Sequence, residues 1–212
     1  MPPLPLSQLE NYFGDYYPKM AQFASLLVGP GIERGLIGPR EADRIWERHL
    51  VNCAGVCTVL PTTGTLLDLG SGAGLPGIVI AIMRPAQQIL LLESLLRRTI
   101  WLEEVATTLD LPNVTVVRGR AGETLKLPDV AAVTARAVAP LSKLLNWSAP
   151  ILKPGGALYA IKGEGVTAEI EEVSEGHTAK KYAKDWKLPP KIVESETIPT
   201  ITPTTTVITT RK

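Results

Sequence analysis

The sequence predicts an α/β, doubly wound (Rossmann-like) fold: a mostly parallel seven-stranded sheet preceded by an N-terminal helical cap. Two observations carry this prediction. From Thr65 onward, short apolar runs alternate with helix-like stretches, the pattern of parallel strands buried on both faces. Before Thr65 the apolar residues follow helical spacing instead. We therefore expect a cap at residues 1–60 and the sheet domain, one structural unit, at residues 61–212.

The cap is predicted to be helical with one break, GPGIERGLIGPRE at residues 29–41. After this break, a set of side chains recurs along one helical face: Ile45, His49, Asn52, Cys53 and Val56. We expect this segment to form part of a helical cap that precedes the sheet domain.

Five apolar runs predict the parallel core of the sheet. They are LLDLG (66–70), ILLLE (89–93), VTVVR (114–118), VAAVTA (130–135) and ALYAIK (157–162). The predicted helices are 76–83, 94–109, about 121–126, 140–151 and 164–176. Two further strands, KIVESETI (191–198) and TTTVITTRK (204–212), have no room for a helix between them, so we expect them to pair antiparallel and close the sheet.

Composition sets few limits on the function. The net charge of +1 does not single out a nucleic-acid-binding protein, but 22 basic side chains leave room for a local basic patch. Cys53 and Cys57 have no zinc or disulfide spacing, which favours reduced thiols in the cytoplasm. We expect no signal peptide, no membrane span and no metal.

A glycine-rich turn follows the first predicted strand. In an open parallel sheet, ligands bind beyond the carboxyl ends of the strands. The first strand ends in an acid that is followed by glycines: Asp68, Gly70, Gly72 and Gly74. The spacing of Gly72, Gly74 and Gly77, with Glu93 further on, formally fits a dinucleotide fingerprint. However, a dinucleotide brings an anionic pyrophosphate to this turn, and the carboxylate of Asp68 would repel it.

Asp68 favours a cationic ligand instead. S-adenosylmethionine carries an ammonium and a sulfonium group and has no phosphate. We expect Asp68 to serve its amino-acid end, the glycines to let the backbone approach its methionine portion, and Glu93 to accept both ribose hydroxyls. Dinucleotide binding and a purely structural glycine turn remain the alternatives.

The sequence also narrows the methyl acceptor. The fourth strand is not followed by an Asn/Asp-Pro-Pro-aromatic stretch, which disfavours exocyclic amines, and neither cysteine follows a proline near a strand end, which disfavours pyrimidine C5. The only histidines, His49 and His177, lie away from the sheet loops, and we expect His49 to be a packed, hydrogen-bonded side chain. We therefore name no general base. An acceptor that already has a free lone pair, such as N7 of guanine, suits such a site.

Arg136 is the predicted catalytic residue. It ends the fourth strand, in TARAVAPL (134–141), and is expected to project into the ligand pocket. There a guanidinium group would clamp a carboxylate or a phosphate, or hydrogen-bond the guanine edge, and so orient cofactor and base. The alternative is an arginine that only caps its loop.

These motifs resemble a known family. LLDLGSGAGLPG (66–77), LLES with RR (91–98), GRAGE (119–123), TARAVAPL and LKPGG with AIKGE (152–164) recur in this order in the glucose-inhibited division protein B family. The segment RGLIGPREADRIWERHLVNC (34–53) is also similar to that family. The resemblance implies an S-adenosylmethionine-dependent methyltransferase that acts on guanine N7 in 16S ribosomal RNA.

The resemblance also implies the roles of particular residues. Gly70 and Leu75 would line the cofactor, Glu93 and Ser94 would face its ribose, Ala121 and Gly122 would flank its adenine, and Arg136 would complete the pocket. The chain departs from the family at Gly122, where an acid is usual, and at Asn52-Cys53, where many members have Asp-Ser. We assign no catalytic role to Asn52 or Cys53.

The expected partner is 16S ribosomal RNA or the small ribosomal subunit, bound by a monomer. RNA phosphates require cations, and arginines occur in the cap and near the ends of the second and third strands. They are Arg34, Arg40, Arg44, Arg48, Arg97, Arg98, Arg118 and Arg120. A small-molecule methyltransferase and a non-catalytic RNA-binding assembly factor are the alternative functions.

Overall fold

The computed structural model describes residues 4–123, 126–163, 165–195, 197–198, 201 and 204–212. The protein is a seven-stranded sheet with helices on both faces, as predicted. Among the described residues, each helix is too short or too polar to cross a lipid bilayer.

The strands follow the predicted positions closely. They are β1 (Thr65–Leu69), β2 (Ile89–Glu93), β3 (Val114–Arg118), β4 (Val130–Arg136), β5 (Leu152–Lys162), β6 (Lys191–Ser195) and β7 (Thr204–Thr210). Their order in the sheet is β3-β2-β1-β4-β5-β7-β6. Strands β1 to β5 are parallel, and β7 is antiparallel to both of its neighbours, which confirms the parallel core and the antiparallel final pair. The order reverses between β1 and β4, so a ligand site is expected beyond their carboxyl ends.

Eight α-helices surround the described part of the sheet. They are α1 (Leu6–Phe13), α2 (Tyr17–Leu26), α3 (Asn52–Gly55), α4 (Gly77–Met83), α5 (Leu96–Thr108), α6 (Leu141–Ser148), α7 (Val166–Ser174) and α8 (Gly176–Tyr182). Short 3-10 turns occur at Gly14–Tyr16, Pro39–Arg44 and Val56–Thr58, and π-helical turns at Leu27–Gly31 and Ile45–Val51. The predicted break in the cap begins at Gly29, whose φ of −93° and ψ of −105° leave the helical region.

Three predicted elements differ from the structure. The helix predicted at 164–176 ends at Ser174, because Glu175 is extended and Gly176 is left-handed with a φ of +58°, and the helix α8 that begins at Gly176 was not predicted; residue 164 lies outside the described residues. The helix predicted at about 121–126 is wrong for its described part, since 121–123 form a turn and 126 is irregular, while 124 and 125 are outside that part. Strand β5 begins at Leu152 rather than at residue 157, and a register shift against β4 accommodates its Pro-Gly-Gly segment.

Two hydrophobic layers bury the sheet on both faces. In β1, Leu66 packs in the layer that contains the cap helices, and its neighbour Leu67 packs in the opposite layer with α6. Because side chains alternate along a strand, Asp68 and, on β4, Arg136 lie on the same side as Leu66. The cap therefore covers the face on which the polar strand ends lie.

Candidate active site

A cavity of about 520 Å³ lies beyond the carboxyl ends of β1, β2 and β4, beneath the cap. We call it the glycine-turn cavity. Its lining consists of Leu36, Ile37, Gly38, Glu41 and His49 from the cap, residues 70–73 and Leu75 from the glycine turn, Glu93, Ser94 and Arg98 after β2, and residues 136–138 after β4. The cavity thus occupies the switch point that the strand order defines.

The glycine turn presents bare backbone to this cavity. Gly70, Gly72 and Gly74 all have left-handed φ angles, of +73°, +56° and +102°. A Cβ atom on Gly72 would meet only the Gly70 carbonyl oxygen, at 3.8 Å, so the side of Gly72 that lacks a side chain is open. Ligand atoms therefore have access to the main chain there, which is the use that such glycines have in binding loops.

Glu93 connects the end of β2 to the glycine turn. Its Oε2 atom accepts a hydrogen bond from the Gly72 N–H at 3.0 Å, and its Oε1 atom accepts from the N–H groups of Ser94, at 2.8 Å, and Leu95, at 2.9 Å. Only 4% of the residue is exposed, yet it lines the cavity. These three bonds hold the carboxylate in one orientation and occupy both lone pairs of Oε1, which Ser94 Oγ also approaches at 3.4 Å. One lone pair of Oε2 remains for a hydroxyl donor, with Arg98 Nη1 3.7 Å from that oxygen.

Asp68 lies beneath the glycine turn and outside the lining of the cavity. It is 1% exposed, and its Oδ2 atom accepts a hydrogen bond from the Gly77 N–H at 3.0 Å. Its Oδ1 atom has no hydrogen-bond partner among the described residues. The carboxylate thus accepts a hydrogen bond from the first N–H of α4, and the N-terminus of this helix is where the pyrophosphate of a dinucleotide would bind. This arrangement disfavours the dinucleotide alternative.

Burial raises the pKa of Asp68 to about 7, although contacts with Ser71, the Gly77 N–H and the charge of Arg136 oppose the rise. Because the folded pKa lies above the ordinary 3.8, the folded state holds this proton more tightly than the unfolded state. The contribution of Asp68 to stability is therefore complete at pH below about 4 and is lost as the pH rises to about 7, by on the order of 4 kcal/mol.

We predict that Asp68→Asn removes this pH dependence. The uncharged amide retains an oxygen for the Gly77 N–H, so the variant should gain thermal stability relative to the unmodified protein between pH 4 and pH 8. Thermal unfolding at several pH values, without ligand, measures the difference. A stability difference that stays constant across this range would contradict the raised pKa.

Arg136 is held by two cap residues, one of which is supported by a third. Its Nη1 atom donates to Cys53 Sγ at 2.8 Å, and its Nη2 atom lies 2.6 Å from His49 Nδ1. The other nitrogen of that imidazole, Nε2, lies 2.8 Å from Glu41 Oε2. Two of the guanidinium nitrogens are thus engaged from the cap, and the group as a whole lines the glycine-turn cavity.

These contacts define the protonation of His49. A guanidinium group only donates, so Nδ1 of His49 must accept, and its proton must be on Nε2, which donates to Glu41. Burial and the charge of Arg136 lower the pKa of His49 below its ordinary 6.5, with Arg48 adding to the effect and Glu41 opposing it. The hydrogen bond from His49 also lowers the pKa of Glu41. The neutral imidazole that Arg136 requires is therefore the favoured form at neutral pH.

His49 is accordingly a positioning residue for Arg136, and its pH dependence is testable. When the pH falls below 6.5 toward the lowered pKa, protonation removes the acceptor and releases Arg136, so activity should fall. We predict that His49→Ala lowers kcat by about 10-fold or more, the cost of one charge-assisted hydrogen bond. His49→Asn, which places an oxygen near the position of Nδ1, should restore most of kcat and lose the acidic decline. Identical pH profiles for the Asn variant and the unmodified protein would contradict this role.

The structure brings together most of the predicted site residues. Six of them line the glycine-turn cavity: Gly70, Gly72, Leu75, Glu93, Ser94 and Arg136. Asp68 and Gly74 lie beneath the turn, where a Cβ on Gly74 would meet Ile78 Cγ1 at 2.7 Å. His49, Glu41 and Cys53 complete the site and were not predicted to contact Arg136.

Ala121 and Gly122 do not line this cavity. Ala121 packs against the hydrophobic layer on the opposite face of the sheet, and a Cβ on Gly122 would meet the Trp147 ring at 2.9 Å. Their role beside adenine stays a prediction.

The cavity fits the chemistry of S-adenosylmethionine. It offers the oriented carboxylate of Glu93 for hydroxyl donors and the open backbone at Gly72. Asp68 is buried beneath the turn and does not line the cavity, so it can act on an ammonium group only through its charge. Among the described residues, no group of three or more His, Cys, Asp or Glu side chains is placed so that it could hold a metal ion.

The fold and this cavity define the class: the protein is a class I S-adenosylmethionine-dependent methyltransferase. A solved structure of an S-adenosylmethionine-dependent methyltransferase from Aquifex aeolicus superimposes with a TM-score of 0.57 at 18% identity, over 85% of this chain and 97% of that one. A precorrin-6y C5,15-methyltransferase from Geobacter metallireducens superimposes with a TM-score of 0.51 at 17% identity, over 82% and 89% of the two chains.

The chain belongs to the rRNA small subunit methyltransferase G (GidB) family, whose sequence model matches residues 16–192. The ribosomal RNA small subunit methyltransferase G of Thermobifida fusca is 52% identical over 80% of this chain and 71% of its own length. The protein of the same name from Streptomyces coelicolor is 52% identical over 81% of this chain and 72% of its own length. The family resemblance in the sequence motifs is thereby confirmed.

Proposed function

We propose that this enzyme transfers a methyl group from S-adenosylmethionine to N7 of a guanine in 16S ribosomal RNA. The family supports ribosomal RNA of the small subunit as the substrate. The observation that carries the choice of N7 is the state of His49: it is the histidine that lines the cavity, and Arg136 occupies its Nδ1 atom. Since that imidazole is not free to remove a proton, the acceptor should be an atom that already has a lone pair.

The residues of this chain bind and orient. When bound, S-adenosylmethionine supplies an electrophilic methyl group on a sulfonium. Glu93 accepts hydroxyl hydrogen bonds, the backbone at Gly72 contacts the amino-acid portion, and Asp68 balances an ammonium charge. Arg136, held by His49 and Cys53, donates its remaining N–H groups toward the guanine edge. Because N7 carries no hydrogen, orientation and exclusion of water are the main tasks of the protein.

Labelled-methyl transfer tests this proposal. We expect label from S-adenosylmethionine in 16S ribosomal RNA taken from cells that lack this enzyme, and nucleoside analysis should find it as 7-methylguanosine. Label on a ring carbon or an exocyclic amine would exclude N7. If only a small molecule carries the label, the protein is a small-molecule methyltransferase. If calorimetry detects no binding of S-adenosylmethionine, a non-catalytic RNA-binding assembly factor is favoured.

The proposal includes four further expectations. We infer a monomer that acts in the cytoplasm without a metal, on the ribosomal RNA or on the small subunit. We also retain the division into a cap (residues 1–60) and a methyltransferase domain (residues 61–212). Sedimentation at micromolar concentration, cell fractionation and activity in the presence of a chelator test the first three points.

A further inference from the structure

We propose that the acceptor guanine nucleotide binds in a second cavity, on the other side of Arg136 from the glycine-turn cavity; this inference rests on the proposed function. The second cavity has a volume of about 530 Å³ and lies between the cap, the end of β5 and α7. We call it the β5-side cavity. Its volume is in the range of small-molecule sites, which is sufficient for one nucleotide that has left its stack.

The two cavities share one wall. Arg136 and Ala137 line both of them. Ala137 is left-handed, with a φ of +53°, which costs a residue with a side chain about 1–2 kcal/mol. Strained backbone of this kind persists where the surrounding structure requires it, often at ligand sites. A displacement reaction requires the two reacting atoms to touch, so the ligands must meet beside Arg136 and Ala137, where the two cavities border each other, and not through these residues.

The charges of the β5-side cavity suit a nucleotide. Arg44 and Arg48 line its cap side, and both are exposed, as RNA phosphates require. On the opposite side, Lys162 is largely buried, and its Nζ atom donates to Glu169 Oε2 at 2.7 Å and to the Ala139 carbonyl oxygen at 2.9 Å. Lys162 and Glu169 partner each other, and Arg48 Nη1 donates to Glu41 Oε1 at 3.4 Å in a long, exposed ion pair that a phosphate can replace. Glu47 adds one acid to the lining, so Arg44 and Arg48 are the cations that face a phosphate.

The same cavity also provides groups for a base edge. Asn52 lines it between the arginines and the end of β5, and its Nδ2 atom donates to Thr204 Oγ1 at 3.3 Å. Guanine presents both hydrogen-bond donors and acceptors. A site that holds the amide of Asn52, the carboxylate of Glu47 and the guanidinium of Arg136 therefore matches it better than a purely basic groove does. The base therefore lies toward Arg136, and its phosphate lies toward Arg44 and Arg48.

Steady-state kinetics with a matched control tests the location. The double variant Arg44→Gln/Arg48→Gln removes two charges from the cavity. The matched control, Lys180→Gln/Lys191→Gln, removes two exposed charges from α8 and β6, and neither lysine lines either cavity. We expect Arg44→Gln/Arg48→Gln to raise KM for 16S ribosomal RNA at least 10-fold, to leave the affinity for S-adenosylmethionine unchanged, and to weaken the salt dependence of KM. The control should change KM by less than threefold.

A second variant fills the cavity without changing its charge. A Cβ on Gly163 would meet no described atom within 4 Å, and its φ is not left-handed, so Gly163→Trp should fold and occupy the space. We expect kcat/KM for RNA to fall at least 10-fold with unchanged S-adenosylmethionine affinity.

Three results would overturn the location. In the first, the unmodified enzyme methylates RNA, but Arg44→Gln/Arg48→Gln and Gly163→Trp behave like the control Lys180→Gln/Lys191→Gln; the proposed function then stands and the β5-side cavity is not the acceptor site. In the second, the variants lose S-adenosylmethionine affinity, which would assign the cavity to the cofactor. In the third, the unmodified enzyme transfers no methyl group to RNA, and both the function and the location fail.

Discussion

Replacing Arg136 with Met should lower kcat/KM for methyl transfer to RNA by about 10²–10³-fold, which is typical for the loss of one preorganised donor in an active site. The guanidinium lines both cavities and is oriented by two contacts from the cap, at 2.8 Å to Cys53 Sγ and 2.6 Å to His49 Nδ1. The Met variant should therefore lose both the positive charge and the fixed donor that orients the two ligands. Arg136→Lys keeps the charge but cannot make both cap contacts, so it should resemble the Met variant.

Controls separate this effect from misfolding and from net charge. The thermal midpoint of the Met variant should remain within several degrees of that of the unmodified protein. Lys191→Met removes an exposed positive charge at the edge strand β6 and should leave kcat/KM unchanged. Activity of Arg136→Met within threefold of normal would refute the assignment of Arg136 as the orienting residue.

The second large effect is expected at two glycines of LLDLGSGAGLPG. A Cβ on Gly77 would meet Leu91 Cδ2 at 2.3 Å, Asp68 Oδ2 at 2.6 Å and Asp68 Cβ at 2.9 Å. None of these atoms is free to move, because Leu91 and Asp68 lie in central strands of the sheet. Gly77→Ala should therefore destabilise the fold by about 2–4 kcal/mol, through overpacking and loss of the hydrogen bond to Asp68.

Gly72→Ala is the matched comparison. Its Cβ would project into open space, so the only structural cost is the left-handed backbone, about 1–2 kcal/mol. We expect this variant to fold but to bind S-adenosylmethionine at least 10-fold more weakly, because the methyl group occupies the surface that the ligand contacts. Thermal unfolding and calorimetry measure both quantities. Equal stability of the two variants, or normal affinity of Gly72→Ala, would contradict this account of the turn.

The central strands were predictable because they are buried on both faces: ILLLE (89–93) coincides with β2, in which every residue is buried. VTVVR (114–118) coincides with the edge strand β3, whose residues are half-buried or exposed, so its content of Val and Thr identified it and burial did not. The start of β5 was missed because Pro and Gly normally signal a loop, whereas here the register shift against β4 accommodates them. The division of α7 from α8 depends on the left-handed Gly176, which helical periodicity does not reveal.

The site was predictable only where it follows from the ends of the strands. Glu93 and Arg136 end β2 and β4, and the strand order places both at the switch point. The contacts that hold Arg136 could not be predicted in the same way, because His49 and Cys53, which make them, lie more than 80 residues away along the chain. Their shared helical face was the available signal, but it did not indicate which side chain they would meet. Similarly, Asp68 was expected beside the ligand, and its burial follows from α4 turning back over β1.

The wall formed by Arg136 and Ala137 has a consequence for inhibitor design. Because these two residues border both cavities, a compound that joins an adenosine analogue to a purine by a short linker should occupy both sides at once. The second half of such a compound would bind at a high effective concentration, so its affinity should far exceed that of either half alone. Its selectivity would come from the purine half, since many unrelated enzymes recognise adenosine.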